Sequence, residues 1–167
     1  MAISIGYPIA YFYLMGQEIE RKFLVEKLPE GYQNYPSKTI RQGYLGFTEE
    51  GRELRLRQAN DQFYFTVKSA GELVRQEVEV NLSEAQFQEL WPLTEGKRVS
   101  KVRYLLKENE ATIELDVYTA AHKGLAVAEV EFATVMEAEN FNPPSWMGTE
   151  VTGETAYKNR NLALKQS

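Results

Sequence analysis

Apolar and polar residues alternate with a period of two along most of this 167-residue chain. That period is typical of strands that present one face to an apolar layer. Turn-forming pairs such as Asn60-Asp61 separate several of the alternating segments. The pattern predicts eight strands: Gln17–Val25, Lys38–Phe47, Arg52–Gln58, Gln62–Lys68, Val74–Val80, Arg98–Lys107, Ala111–Tyr118 and Ala126–Ala133.

Helix signals are few. A capping-box sequence at Ser83–Gln86 predicts a helix start ahead of an apolar stretch. A second helix is predicted from Thr134 to Phe141, and a third, short one from Tyr157 to Lys165. Many strands with few helices predict a mainly β domain of the α+β class, built as a sandwich or as a closed antiparallel barrel.

Charged residues fall on one face of strand after strand. In the first strand Glu18, Glu20 and Lys22 share a face, while Ile19 and Phe23 share the other. The same spacing recurs in Glu53, Arg55 and Arg57, in Arg75, Glu77 and Glu79, in Lys101 and Arg103, in Glu114 and Asp116, and in Glu129 and Glu131, and Lys68 ends the fourth strand on the face of Thr66. The predicted sheet therefore has one charged face and one aliphatic and aromatic face.

Two architectures would accommodate such a sheet. In an open sheet the charged face is simply hydrated. In a closed eight-stranded antiparallel β-barrel it lines a lumen, and about eight strands suffice for closure. The regularity of the alternation favours the barrel, with helices such as Glu84–Trp91 and Val135–Phe141 covering its apolar exterior.

A charged lumen indicates a charged ligand, because buried charges are costly unless they are paired, hydrated or bound. Arginine and lysine suit phosphate oxygens, and paired carboxylates suit a hard divalent cation. Cysteine is absent and His122 is the single histidine, which excludes thiolate and multi-histidine zinc sites. Oxygen ligands therefore predict Mg²⁺ or Mn²⁺, whereas the net charge of -5 argues against a nucleic-acid binder.

The N-terminal segment Ile3–Met15 is apolar but too short to span a bilayer, and it lacks a basic leading region. It is either an extra strand or arm, or an upstream extension with Met15 as the functional start. We expect residues 1–16 to be an extension outside the core and residues 17–167 to form one domain. Without a signal peptide or membrane span, a cytoplasmic location is expected.

The segment from Glu18 to Val25 resembles the CYTH superfamily of triphosphate tunnel metalloenzymes, whose signature in the first strand is ExExK. Further matching segments follow in the family's order: Gln42 to Leu45, Arg55 and Arg57, Lys68, Arg75 to Glu79, Arg103, Glu114 and Asp116, Glu129 and Glu131, and Glu150 to Asn159. The resemblance extends from Gln17 to about Leu164. It implies an eight-stranded antiparallel tunnel and divalent-metal-dependent chemistry on triphosphates.

The resemblance and the charge pattern together assign roles. Glu18, Glu20, Glu129 and Glu131 are the predicted ligands of one or two Mg²⁺ or Mn²⁺ ions, since first and last strands adjoin once a barrel closes. The predicted triphosphate contacts are Lys22, Arg55, Arg57, Lys68 and Arg103, with Arg75 and Lys101 as further candidates and Lys158 either a contact or a solvated helix residue. Glu18, Glu20, Lys22 and Arg57 form the predicted catalytic set. The supporting residues Glu77, Glu79, Glu114 and Asp116 are expected to pair with the cations; metal binding or water orientation is their alternative role.

The predicted reaction is hydrolysis of inorganic tripolyphosphate to pyrophosphate and phosphate, because the chain is barely longer than the tunnel itself. The alternatives are a class IV adenylate cyclase, a thiamine triphosphatase, a nucleoside triphosphatase, or a non-enzymatic sensor that binds polyphosphate or nucleotide. The two Glu-x-Glu pairs, Glu18 with Glu20 and Glu129 with Glu131, argue against a sensor, because binding alone would need the cations more than the metal ligands. An apolar barrel exterior could also support a homodimer.

Overall fold

The computed structural model describes residues 19–49, 51–68, 77–108 and 111–165. Within these ranges it contains eight strands and three α-helices. The strands are β1 (Ile19–Leu24), β2 (Ser37–Phe47), β3 (Glu53–Ala59), β4 (Gln62–Lys68), β5 (Glu77–Leu82), β6 (Arg98–Glu108), β7 (Ala111–Tyr118) and β8 (Ala126–Phe132), and the helices are α1 (Glu84–Leu90), α2 (Val135–Asn140) and α3 (Asn159–Leu164). All eight predicted strands are confirmed, with ends that differ by a few residues; the predicted starts Gln17 and Val74 lie outside the described residues.

All eight strands belong to one antiparallel sheet in the order β1-β8-β7-β6-β2-β3-β4-β5. The first and last strands, β1 and β8, are neighbours, as predicted. They pair in an antiparallel ladder within the sheet, in which Lys22 faces Glu129, and this pairing does not close a barrel. The outer strands are β1 and β5, and no ladder joins them within the described ranges. Closure by hydrogen bonds was therefore a wrong prediction for this part of the chain.

The reason lies at the second edge of β1. The segment from Gly148 to Val151 binds there: Leu24 donates its backbone N–H to Thr149 at 2.9 Å, and Val151 donates to Lys22 at 2.8 Å. Phe23 also forms an isolated antiparallel bridge with Glu150. These contacts satisfy backbone groups on β1 that a closing strand would otherwise use.

One side of the sheet, here called the charged face, carries the polar residues of the alternating pattern. Strand register places on it Glu20, Lys22, Gln42, Arg55, Arg57, Thr66, Lys68, Glu77, Glu79, Lys101, Arg103, Glu114, Asp116, Glu129 and Glu131. Arg55, Lys101, Asp116 and Glu129 are at most 7% exposed. Charged groups this deeply buried show that the sheet curls around its charged face.

The opposite face is apolar and is covered by α1 and α2, as predicted. Phe87 of α1 is fully buried and packs between Phe63 and Trp91. Near α2, Phe141 packs on Phe132. A larger core under this layer consists of Phe23, Val25, Leu106, Ile113, Leu115, Ala126, Ala128, Val130 and Met147.

Helix α3 instead packs on the side of the charged face. Its Leu162 and Ala163 join Tyr44, Val99, Tyr118 and Val127 in a second core. Tyr118 lies two residues from Asp116 on β7, and Val127 lies two residues from Glu129 on β8, so both are on the charged face. Helix α3 therefore covers one end of that face.

Capping fixes where the first two helices begin. The N–H of Gln86 donates to Ser83 Oγ at 3.2 Å, and the N–H of Ser83 donates to Gln86 Oε1 at 2.8 Å, which completes the predicted capping box. At α2, the N–H of Glu137 donates to Thr134 Oγ1 at 3.1 Å. These contacts satisfy backbone donors that a helix start leaves without partners.

The predicted extension, residues 1–16, lies outside the described residues, so its separation from a domain of residues 17–167 stays a prediction. Among the helices in the described ranges, none is both long and apolar enough to cross a membrane.

Gly43 of β2 lies against Thr94, and this close approach gives a test of packing. A Cβ at position 43 would lie 2.5 Å from Thr94 Oγ1, and Thr94 is held by hydrogen bonds to Trp91 and Arg98. We expect Gly43→Ala to lower the free energy of unfolding by about 1–3 kcal/mol, the usual cost of overpacking. Gly46→Ala in the same strand is the control, because nothing lies within 4 Å of that Cβ. Urea denaturation measures both, and equal stabilities would contradict the packing argument.

Candidate active site

Arg103 on β6 is the centre of a first group, the Arg103 cluster, formed with Lys22, Lys101, Glu114, Asp116 and Glu129. Its Nε and Nη2 donate to the two oxygens of Asp116 at 2.6 and 2.7 Å. Nη2 also donates to Glu129 at 2.7 Å, and Nη1 donates to Glu114. Burial lowers the pKa of Arg103, but Asp116 and the other carboxylates outweigh it and raise that pKa. The guanidinium is therefore permanently charged and fixed in orientation.

Lys101 lies two residues before Arg103 on the same face of β6 and is also bound to Asp116. Its ammonium is 5.5 Å from the centre of the Tyr118 ring and is 3% exposed. Burial lowers the pKa of Lys101, while the charge of Asp116 opposes that shift. Asp116 is fully buried and thus bridges two cations in the interior.

Lys22 on β1 completes the cluster. Its Nζ is 2.8 Å from Glu129 and 3.8 Å from Glu20. Burial would raise the pKa of Glu129, but the charges of Lys101, Lys22 and Arg103 lower it to about 2. Glu129 is therefore ionised at neutral pH despite being 7% exposed.

A second group, the Arg55 cluster, spans β3 to β5 and comprises Arg55, Thr66, Lys68, Glu77 and Glu79. Arg55 Nη2 donates to Thr66 Oγ1 at 3.1 Å and to Glu77 at 3.0 Å, and it lies 3.5 Å from Glu79. Thr66 donates its hydroxyl to Glu79 at 2.9 Å, and Lys68 is 2.7 Å from Glu77. The pairing predicted for the supporting carboxylates is thus observed in both clusters.

Arg57 lies two residues after Arg55 on the same face of β3, and it differs from the other buried and half-buried cations of the charged face. It forms no ion pair with any carboxylate in the part of the chain that the structure describes. Its Nε donates to Gln42 Oε1 at 3.4 Å. Burial lowers the pKa of Arg57, and the positive charges of Arg55 and Arg103 lower it further. An anion bound here would therefore relieve repulsion among three guanidinium groups.

Four carboxylates were predicted to bind metal, and the structure describes three of them. Glu20 faces Glu131 across the β1–β8 ladder. This pair lies two residues along the strands from the facing pair of Lys22 and Glu129, on the same face of the sheet. Glu20 and Glu131 are exposed, and Glu18 lies outside the described residues. Within those residues no group of three or more acidic or histidine side chains is close enough to hold a metal. The available donors are all carboxylate oxygens on adjacent strands, which suits a hard divalent cation.

Two further predicted contacts have different outcomes. Arg75 lies outside the described residues. Lys158 is half-buried at the N-cap of α3, next to Asn159, which accepts a hydrogen bond from the Tyr118 hydroxyl at 2.7 Å. The backbone of Lys158 thus lies at the covered end of the charged face.

The sequence analysis assigned no site role to Gln42, Thr66 or Arg160, although it placed Thr66 on the face of Lys68 and included Gln42 in a segment that matches the family. Gln42 and Thr66 lie directly opposite Arg57 and Arg55 in neighbouring strands, which puts both on the charged face. Arg160 of α3 is 3.1 Å from Glu53 of β3, at a sequence separation of 107 residues. Nothing local in the sequence indicates that contact.

The sequence matches the CYTH domain family over residues 16–161, so the chain belongs to this family. Its curled eight-stranded antiparallel sheet has the family's tunnel fold. Enzymes of the CYTH triphosphatase family are in general metal-dependent.

Two relatives carry the same name. The chain is 46% identical over 148 residues to the inorganic triphosphatase of Nitrosomonas europaea, covering 88% of this chain and 97% of that protein. It is 34% identical over 151 residues to the inorganic triphosphatase of Acetivibrio thermocellus, covering 89% and 94%. The crystal structure of the inorganic triphosphatase NE1496 superposes with a TM-score of 0.72 at 44% identity, covering 90% of this chain and 96% of that chain.

The buried position of Asp116 gives a prediction about stability. Asp116→Asn removes the charge that compensates Lys101 and Arg103, and breaking a buried pair typically costs about 3–5 kcal/mol. Glu150→Gln is the control, because Glu150 pairs with Arg21 at 2.6 Å but its side chain is 40% exposed. Exposed pairs contribute about 1 kcal/mol or less. Urea denaturation should separate the two variants clearly; similar losses would show that Asp116 is not the main compensating charge.

Proposed function

We propose that this chain hydrolyses inorganic triphosphate to pyrophosphate and phosphate, with Mg²⁺ or Mn²⁺ as the required metal. The observation that carries the proposal is the position of Arg57, a cation without an ion pair that is flanked by Arg55 and Arg103, on a face whose other buried and half-buried cations are paired. Such a site is suited to a compact polyanion. The two relatives named inorganic triphosphatase, which align over nearly their whole lengths, support the same activity.

The balance of charge supports metal dependence. On the described part of the charged face, carboxylates are at least as numerous as cations. A bare triphosphate would meet those carboxylates at close range, and the repulsion would be strong where burial limits screening. A substrate bound together with a divalent cation would instead be attracted by the same carboxylates.

We assign the metal to Glu18, Glu20, Glu129 and Glu131. When bound, the metal would neutralise phosphate oxygens and polarise the scissile phosphorus. Lys22 and Arg103 already share Glu129, so this carboxylate would link the metal to the cations that hold the substrate. The choice between Mg²⁺ and Mn²⁺ rests only on the hard, all-carboxylate donor set.

The remaining residues would bind and orient the triphosphate. Lys22, Arg55, Arg57, Lys68 and Arg103 are the proposed contacts, with Arg75 and Lys158 as further candidates. Lys101 is better suited to positioning, because its ammonium is engaged by Asp116, which in turn orients Arg103. Glu77, Glu79, Glu114 and Asp116 would hold the guanidinium and ammonium groups in place before substrate arrives, so that little reorganisation is needed.

Hydrolysis on this site would be a single displacement. A water oxygen would attack the terminal phosphorus while the bond from that phosphorus to the bridging oxygen breaks, and pyrophosphate would leave. The water's proton would pass to a carboxylate of the facing pair Glu20 and Glu131. Arg57 would stabilise the charge that develops on the transferred group. A cytoplasmic location and a homodimer stay predictions.

Phosphate release tests the reaction directly. With purified protein we expect release from tripolyphosphate in the presence of Mg²⁺ or Mn²⁺ and none with excess EDTA, because the carboxylates need the cation to accept the substrate. ATP and thiamine triphosphate should give lower kcat/KM, since no described residue is assigned to a base or thiazole ring. Cyclic AMP from ATP would instead establish a cyclase, and tight binding without release would establish a sensor.

Substitutions on the charged face test the assignments. Glu20→Ala and Glu131→Ala should abolish metal-dependent hydrolysis while leaving the melting temperature near that of the parent, because both side chains are exposed. Arg57→Ala should lower kcat/KM by about 5- to 150-fold, corresponding to the loss of about 1–3 kcal/mol for a charge-assisted contact. Glu139→Ala on α2 is the control and should be unaffected. Wild-type turnover in any of the first three would remove that residue from the site.

A further inference from the structure

Gln42 is the polar neighbour that Arg57 has instead of a carboxylate. The two residues face each other across the β2–β3 ladder, and Arg57 Nε donates to Gln42 Oε1 at 3.4 Å. The other buried and half-buried cations of the charged face behave differently: Lys22, Arg55, Lys68, Lys101 and Arg103 each form an ion pair with a glutamate or aspartate.

The Gln42 side chain is itself fixed. It is 1% exposed, and its Nε2 donates to the Tyr44 hydroxyl at 2.8 Å. Tyr44 is 2% exposed and packs in the core under α3. An arginine Nε–H can only donate, so the amide must turn its carbonyl oxygen towards Arg57 and its NH₂ towards Tyr44. The two successive hydrogen bonds, between Gln42 and Tyr44 and between Arg57 and Gln42, therefore define the orientation of the Arg57 guanidinium.

A neutral acceptor has a specific consequence for charge. A carboxylate at position 42 would hold Arg57 equally well, but it would cancel much of its positive charge in a buried setting. The amide holds Nε and leaves the net charge of Arg57 intact. It also engages only Nε, and neither terminal NH₂ group hydrogen-bonds to another described residue. Those are the groups that form a bidentate contact with phosphate.

We infer that Gln42 is a positioning residue that aims the Arg57 fork at the triphosphate while leaving its charge uncompensated. The inference rests on the proposed function for its kinetic consequences, but the contact between Gln42 and Arg57 can be tested without turnover. The lowered pKa of Arg57, caused by burial and by Arg55 and Arg103, agrees with a site that is kept short of negative charge until substrate binds.

Two substitutions separate orientation from charge. Gln42→Glu keeps the shape and the acceptor but adds a negative charge, and it should raise KM for metal–tripolyphosphate at least about 30-fold. Gln42→Met keeps the volume and removes the acceptor, and it should raise KM by about 3- to 10-fold with a smaller change in kcat. If Gln42 only filled space, KM would be unchanged in both variants as long as they fold.

The chain supplies a matched control on the other face of the same two strands. There Arg41 of β2 donates its Nε to Gln58 Oε1 of β3, the same arrangement with the strands exchanged. Arg41 stacks over Phe87 and Trp91, on the apolar side of the sheet and away from the charged face. Gln58→Glu makes the identical chemical change and should leave kcat and KM unchanged.

Thermal unfolding of four proteins provides the readout that needs no activity: the parent, Gln42→Glu, Arg57→Met and the double variant. With Arg57 present, the new carboxylate gains an ion pair; in the double variant, where Arg57 is replaced, the same carboxylate would be buried without that partner. We expect the change in melting temperature caused by Gln42→Glu to be more favourable by at least about 3 °C when Arg57 is present, a shift of the size expected for about 1 kcal/mol in a domain of this size.

Three results would overturn the inference: wild-type KM in Gln42→Glu, an equal rise in KM in Gln58→Glu, or the same melting shift with and without Arg57. A parent protein that releases no phosphate from tripolyphosphate would refute the proposed function instead. In that case the melting cycle still decides whether Gln42 acts through Arg57.

Discussion

The pairing of opposite charges on a buried face is the constraint on which the rest of this structure depends. Asp116 is fully buried and pairs with both Lys101 and Arg103, and Arg103 is held by Glu114 and Glu129 as well. Removing charges from water costs several kcal/mol per ion, which only close, well-oriented partners offset. The curled sheet can exist because cations and carboxylates on neighbouring strands meet in register.

Ion pairing also distinguishes two kinds of arginine in the site. Those paired with carboxylates are fixed in place, and the one without a carboxylate partner is best suited to bind an incoming anion. Arg55 and Arg103 each direct their guanidinium groups to carboxylates and are thereby fixed in place. Arg57 lies near both, and its hydrogen bond goes to the neutral Gln42. Among the buried and half-buried cations of the charged face, Arg57 is thus the one without a carboxylate partner, and a substrate phosphate would gain most beside it.

The strands and the content of the charged face could be predicted from sequence, because side chains alternate strictly along a strand. The capping box at Ser83 was equally predictable, since it depends on residues three apart. Whether the barrel closes could not be predicted from sequence, because closure depends on which segment binds the free edge of β1. That partner is the segment around Glu150, about 130 residues away, and no local pattern signals it.

By itself, the sequence determined which side chains share a face, where two helices begin, and that the chemistry involves oxygen ligands and cations, because these follow from backbone geometry and residue type. Only the tertiary structure decided the full strand order, that Lys101 is bound to Asp116, and that Arg57 has an amide where its neighbours have carboxylates. The physical reason is range: alternation is a property of consecutive residues, whereas ion pairs depend on strand order and burial. The predicted metal ligands show both contributions. Their residue types could be read from the sequence, whereas the position of Glu20 directly opposite Glu131 follows from the β1–β8 ladder.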